Sequence, residues 1–471
     1  MKIGFFIIAF SFTLLMAAYV SMRGWQALQS VGTARVWYLS TNIILFITML
    51  VGLMSRGSLP PVVGKVVTFV GFTYMIVMIY LLLSFLLVDI VRLANYFIHF
   101  APAGMKVFRL WTLLGTLGVV AIAMVIGNYK FNHPAIVNLN IKAEKPEQNK
   151  TLKIVAASDI HLGPSIDKGR LKKYVELINA QKPDIVLLAG DIADNATQPL
   201  IDQNMAEELR NIKTTQGVYA ITGNHEYYGE NPYATETYLK TAGITYLRDS
   251  SVLVNNSFYI VGRDDKTNTN RKTLKDVMRN VDASKPVILL DHQPFHLNEA
   301  QENKVDLQIS GHTHNGQSCP GNLFVKGMYE LAYGYMKKGT THYYVSSGLG
   351  LWGPQYRIGT QSELVVIVLR YYSTKFGFFF FCNSLSVLYY IIPATHPKQL
   401  LFWDVLHGGQ SVQNRVFRRQ RHTQSGLSAT NPKHRHTSRK APRLHKAYNP
   451  PDIFHQETEQ PPLWPAFQHE L

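Results

Sequence analysis

Cysteine is nearly missing from this chain of 471 residues, which has only Cys319 and Cys382. Two thiols cannot build a disulfide framework or a zinc knuckle. Cys319, although close to a histidine-rich motif, reads as a buried or inert thiol rather than a ligand. Acidic residues are also scarce, 31 Asp and Glu against 47 Lys and Arg, for a formal charge of +16. The middle of the chain has no Lys- or Arg-rich helix with interleaved aromatics, so nucleic acid is not an expected partner. Residues 373–471 hold 12 Lys and Arg against 5 Asp and Glu, and the wider surplus suits an anionic membrane surface. Ionisable residues deep in the apolar stretches are missing too, which argues against a transport path.

What is present falls into blocks. Four apolar stretches, about 3–20, 36–54, 66–88 and 107–126, approach or exceed the roughly 20 residues that cross a bilayer. The first lacks a strong basic start and a clear small-residue cleavage site, so it is expected to be a retained helix. Asp89 ends the third beside Arg92, a pair expected at the interface. Lys2, Arg56, Lys65, Lys130 and Lys142 fall on one side; Arg23, Arg35, Arg92, Lys106 and Arg109 fall on the other. That balance leaves the facing of the catalytic region open. The expected organisation is a membrane region over 1–130, a polar linker over 131–150, a globular domain over 151–372 and a tail over 373–471. The tail holds an apolar piece at 376–392 and a basic stretch at 415–446 whose composition cannot bury a core.

Over 151–372, short apolar runs alternate with amphipathic segments, which predicts a layered α/β domain. Strands are expected at 153–157, 185–189, 218–222, 258–261, 287–290, 307–310, 343–346 and 364–369. Residues 168–179 and 271–281 have helical spacing.

Five motifs follow five of those strands. They are Ser158-Asp-Ile-His161, Gly190-Asp-Ile-Ala-Asp194, Gly223-Asn-His-Glu226, the single His292, and Gly311-His-Thr-His314. In an α/β fold such strand ends are where functional groups gather. Asp-x-His sets a carboxylate and an imidazole on one side if the segment is extended. His312 and His314 do the same, or address two neighbouring ions if their loop bends. Oxygen and imidazole donors without thiolate suit Mn, Fe, Zn or Co. Two such ions about 3.5–4 Å apart can share a carboxylate and a hydroxide and clamp phosphate oxygens, so a phosphoester substrate fits best.

These motifs resemble those of the calcineurin-like metallophosphoesterases, membrane-associated branch, with Gly311-His-Thr-His-Asn-Gly-Gln and Ser346-Ser-Gly-Leu-Gly350 in support. The resemblance implies a β-sandwich flanked by helices. It implies one metal held by Asp159, His161, Asp191 and His314, and a second held by Asp191, Asn224, His292 and His312. Asp191 would bridge, and His225 would give a proton to the leaving oxygen. Glu226 and Asp194 would orient ligands, although Asp194 has an equal claim to cap the next helix. Tyr227 and Tyr228 read as packing aromatics, Arg263 as a surface ion pair and His342 as structural. The expected protein is a multi-pass membrane phosphoesterase acting on a phosphomonoester, phosphodiester or pyrophosphate bond. Its partners would be membrane lipids and a substrate for which a lipid-linked phosphate is attractive. A membrane-anchored metal-binding scaffold or sensor without catalysis is the alternative.

Overall fold

The computed structural model describes residues 2–54, 59–99, 105–145, 150–229 and 231–372. The expected features at 376–392 and 415–446, and Cys382, lie outside them.

Four long helices come first: α1 (Lys2–Ala27), α2 (Ala34–Met54), α3 (Pro61–Ile98) and α4 (Met105–Asn132). Each is long and apolar enough to cross a membrane. Proline opens α3 at its first helical position, where its missing N–H costs nothing. The helices meet through Val20, Met49, Met78, Leu81 and Leu113. Their outer faces carry exposed apolar side chains such as Ile8, Trp37, Leu87 and Val119, a pattern suited to lipid. Asp89 pairs with Arg92, as expected, and also with Arg23 of α1, while Tyr19 donates to it at 2.6 Å.

The chain then enters a sandwich. Along it run β1 (Ala135–Glu144), β2 (Lys150–Ala157), α5 (Lys168–Ala180), β3 (Ile185–Leu188), α6 (Gln198–Asp202), α7 (Met205–Leu209), β4 (Val218–Ile221), α8 (Ala234–Thr241) and β5 (Thr245–Leu247). The second half holds β6 (Ser250–Val254), β7 (Phe258–Gly262), α9 (Leu274–Val277), β8 (Val287–Leu290), α10 (Asn298–Glu302), β9 (Leu307–Ser310), α11 (Gly321–Met328), β10 (Gly334–Lys338), β11 (Thr341–Val345) and β12 (Glu363–Tyr372).

One six-stranded sheet has the order β1-β12-β2-β3-β4-β5; the other has β10-β11-β9-β8-β7-β6. Period-two alternation splits the first sheet's side chains. Ile154, Ala156, Ile185 and Leu187 meet Ile260, Ile288, Leu290 and Ile309 between the sheets. Val155, Ala157, Val186 and Leu188 instead pack on Leu171, Val175 and Ile178 of α5. The second sheet's outer face packs on Leu274 and Val277 of α9 and Ala300 of α10. The result is the expected α/β layering, a β-sandwich flanked by helices.

Three expectations change. The segment expected as a linker carries β1, paired in parallel with β12 along all ten residues. Val137, Leu139, Ile141 and Ala143 alternate with Asn138, Asn140 and Lys142, a strand pattern whose polar half looked like linker. The helix expected over 271–281 shortens to α9, because Thr273 caps it and the chain turns at Val281, bonded to Met278. Short β5 and the partly exposed strands β6 and β10 were missed, since three to five residues give little periodicity.

Candidate metal centre

All five motifs fall just beyond the C-terminal ends of β2, β3, β4, β8 and β9. β2, β3 and β4 run parallel to one another, as do β8 and β9, so each set delivers its loops to one edge. The loops are tied across. Asp159 N donates to Gly190 O, His161 N to Asp191 O and Leu162 N to Ile192 O, at 3.1, 3.0 and 2.7 Å. Gly311 N donates to His292 O at 2.9 Å.

Five of the seven candidate ligands have a left-handed backbone. Asp159, His161, Asp191, His312 and His314 have φ between 49° and 71°. Non-glycine residues seldom sit there, and such strain clusters at functional sites. The Asp-x-His segment is therefore not extended as expected. Close approach also demands glycine: a Cβ on Gly223 would collide with the Asp191 carboxylate and its backbone nitrogen.

The side chains converge in overlapping groups, each with donor atoms within 4.8 Å: Asp159, His161 and His314; His161, Asp191 and His225; and Asp191, His292 and His312. His312 and His314 fall in different groups, so their loop bends, the second of the two arrangements open to it. His161 Nε2 lies 3.2 Å from His314 Nε2, and His314 Nε2 lies 3.4 Å from Asp159. Two neutral imidazoles cannot both donate across that gap, and a cation between them would satisfy both lone pairs. On the other side, Asn224 Oδ1 lies 3.2 Å from His292 Nε2 and 2.6 Å from His312 Nδ1. His292 Nδ1 donates to Ala189 O at 2.8 Å, which turns Nε2 toward Asp191 at 3.1 Å. This donor set of imidazoles, carboxylates and one amide fits two divalent ions.

The electrostatics are polarised. Burial alone would raise Asp191, but His292, His161 and His225 outweigh it and hold it below the usual carboxylate range. Burial pulls His292 down, but Asp191 and Asp159 push it well above the usual histidine value. Burial and the neighbouring His161 and Arg357 hold His314 well below that value. Burial and His292 lower His312.

A supporting ring surrounds these groups. Buried Glu226 accepts from the backbone N–H of Ile192, Ala193 and Gly223 at 2.8, 2.9 and 2.7 Å. It thereby clamps the Asp191 loop to the Asn224 loop. Burial and Asp191 raise its pKa to about 7. Asp194 caps no helix; its carboxylate lies 3.5 Å from His161 Nδ1 and 3.4 Å from His225 Nδ1. His225 Nδ1 also donates to Asp194 O.

Residues 152–316 match the family model for the calcineurin-like phosphoesterases. A Caenorhabditis elegans protein named as a metallophosphoesterase is 30% identical over 334 residues, covering 65% of this chain and 68% of that protein. An Aquifex aeolicus metallophosphoesterase is 32% identical over 53% of this chain and 98% of its own length. The chain belongs to the calcineurin-like metallophosphoesterases. A Danio rerio transmembrane protein with metallophosphoesterase domain is 32% identical, over 50% of this chain and 57% of its own length. With four helices of spanning length and relatives that carry that name, this metallophosphoesterase is a multi-pass membrane protein.

The structure thus brings all seven candidate ligands and His225 together. Tyr227 bonds Asp264 at 2.7 Å, away from them. Tyr228 is exposed, receives the Asn224 amide N–H at 3.0 Å and packs its ring 4.9 Å from His225. It borders the site rather than merely packing. Arg263 is buried, not a surface residue; it donates to Lys272 O at 2.8 Å and faces Asp249 and Asp291. His342 is structural as expected, bonded to Tyr335 at 2.8 Å. Cys319 is exposed, contrary to a buried thiol, and joins no ligand group.

Two residues escaped the sequence reading. Arg357 is fully buried and donates to His314 O at 2.9 Å and Gly350 O at 2.6 Å; burial lowers its pKa to about 10. A lone arginine outside any motif gave no signal. Trp352, two residues past the Ser346–Gly350 motif, brings its ring within 6.1 Å of His225.

Proposed function

We propose that this protein is a binuclear-metal phosphoesterase that hydrolyses a phosphomonoester, phosphodiester or pyrophosphate bond, with a lipid-linked phosphate as the favoured class. The observation that carries the reading is the sharing of Asp191 between two ligand groups, one with His161 and one with His292 and His312. One ion would be held by Asp159, His161, Asp191 and His314, the other by Asp191, Asn224, His292 and His312. When bound, the ions supply Lewis acidity that ionises water near neutral pH and neutralises phosphoryl oxygens.

The rest falls to the chain's own groups. His225 is held through Nδ1, which leaves Nε2 to give a proton to the leaving oxygen. Burial would lower its pKa, but Asp194 and Asp191 raise it, which favours the protonated form that a proton donor needs. Asp194 holds His161 and His225 side by side. Arg357 fixes the His314 loop through its carbonyl.

The test is turnover of p-nitrophenyl phosphate and its bis-ester by the purified full chain, with and without added Mn, Zn, Fe or Co. Metal-dependent release of nitrophenol is expected. Tight binding of two ions with no turnover across a broad phosphoester panel would favour a metal-binding scaffold instead.

A further inference from the structure

The catalytic loops do not stand clear of the membrane helices. Thr73 of α3 bonds Tyr356 at 3.0 Å, and Gly127 O of α4 accepts from Arg357 N at 2.9 Å. Between α3 and the loops that follow β2 and β11 lies a cavity of about 390 Å³. Val66, Phe69 and Phe72 of α3 line one wall; Pro164, Gly353 and Gln355 line the other.

Three observations say what fills it. First, the wall is continuous with a lipid-facing surface. Residues 62, 66, 69 and 72 share one helical stripe, and Val62, Val66 and Phe69 are exposed on a helix of membrane-spanning length. A hydrocarbon chain entering from the bilayer would follow this apolar stripe, with polar Lys65, Thr68, Ser165 and Gln355 also lining the cavity. Second, the inner end points at the chemistry. The Phe72 ring is 6.3 Å from the Trp352 ring, which is 6.1 Å from the His225 ring, itself 4.5 Å from His161. Third, a cation stands at the rim. Lys65 is 60% exposed and pairs with Asp167 at 2.8 Å.

We propose that this cavity receives a hydrocarbon chain of the substrate, so that the enzyme acts on membrane amphiphiles whose scissile phosphoester lies in the headgroup. The inference rests on the phosphoesterase reading above and goes beyond it. Trp352 marks the junction, with the chain on the Phe72 side and the phosphate on the His225 side. Specificity then depends on chain length as well as on the phosphate, and the enzyme draws substrate laterally from the bilayer.

The experiment uses the full chain, metal-loaded, in detergent. Alkyl p-nitrophenyl phosphates from methyl to dodecyl keep the reporter and vary only the chain. For the wild type, kcat/KM should rise with length, by up to about fourfold per buried methylene, and then level off. Val66→Trp, which fills the cavity from a position outside the catalytic machinery, should flatten the series while p-nitrophenyl phosphate turnover stays unchanged. Micelle partitioning is the same for both proteins, so their ratio isolates the cavity. A flat wild-type series alongside normal p-nitrophenyl phosphate turnover overturns the inference and leaves the phosphoesterase reading standing. Equal slopes in wild type and Val66→Trp overturn it too.

A second measurement needs no turnover and so separates failure of one idea from failure of the other. An alkyl phosphate with a diazirine at its chain end should crosslink to the Phe69–Phe72 segment more strongly in wild type than in Val66→Trp. The matching alkyl alcohol should label that segment weakly. Equal labelling by the alcohol, or adducts spread evenly over the four helices, overturns the proposal.

Discussion

The candidate metal centre is built from loops, and the seam joins loops of the sandwich to α3 and α4; the two are held differently. In the cluster each group answers to several strands at once. Asp191 accepts from His225 N at 2.9 Å and faces His292 and His161; Asp159 accepts from His312 N and faces His314. At the seam, many contacts are separate neutral hydrogen bonds: Thr73 to Tyr356, Asn128 to Gln355 O at 3.2 Å, and Gln361 to Lys130 O at 3.0 Å and to His133 O at 2.7 Å. The difference is energetic. Removing one member of a buried charged network strands its partners, whereas removing one neutral bond loses about 1 kcal/mol. Damage at the cluster should therefore appear in chemistry and metal content as well as in stability, and damage at the seam in a small loss of stability alone.

The sharpest way to break that contrast is Asp191→Asn. It keeps the shape and removes the charge that both ligand groups share. Activity on p-nitrophenyl phosphate should fall on the order of 10³-fold or more, with the circular dichroism spectrum retained. Full activity would remove Asp191 from the bridging position. Next in size is His225→Gln. A proton donor is typically worth about 10²–10⁴-fold, so kcat should drop by that order while two ions per chain remain bound. Loss of one ion, read by metal analysis, would make His225 a ligand instead, a role its place in one ligand group permits.

The same contrast explains what could be read in the sequence. The candidate ligands were legible because each follows a short apolar strand and metal chemistry restricts residue types. The four helices were legible because bilayer thickness sets their length. Other features had no local signature. The left-handed backbone at Asp159 and His161 is imposed by loops from other strands and cannot be seen in Asp-x-His. Arg357 acts through backbone carbonyls, which any sequence supplies. Much of the seam depends on tertiary contacts between residues more than 200 positions apart, such as Thr73 and Tyr356. β1 was hidden for a different reason, since its polar alternate residues looked like a linker.

Within the cluster, individual histidines should also respond differently to pH. His292 has a raised pKa, so in the metal-free protein its pairing with Asp191 stabilises the fold below the ordinary histidine value. That contribution fades as pH climbs through the raised value. His312 and His314 have lowered pKa values. Their contribution is present above the ordinary value and is lost as pH falls. Of these three histidines, His292 is then the one whose raised pKa opposes ion binding, since it must be unprotonated at Nε2 to ligate. Metal affinity should rise with pH, by up to about tenfold per unit until His292 loses its proton. Calorimetry in two buffers of different ionisation heat should read a net release of protons on ion binding. Proton release of zero would mean that His292 and Asp191 do not pair in the metal-free protein.

The smallest effect is expected at the seam, where Thr73→Val and Tyr356→Phe each remove one end of a single bond at 3.0 Å. Each should cost about 1 kcal/mol of stability, read by thermal unfolding in detergent. The double variant should cost less than the sum of the two, because the second change has no bond left to remove. Turnover of p-nitrophenyl phosphate should be unchanged in all three, since neither hydroxyl touches a candidate ligand. Tyr356 adjoins Arg357, whose guanidinium holds the His314 loop. If the single variants lowered kcat by more than tenfold, the seam would be setting ligand geometry through that neighbour, and the separation between chemistry and stability would fail there.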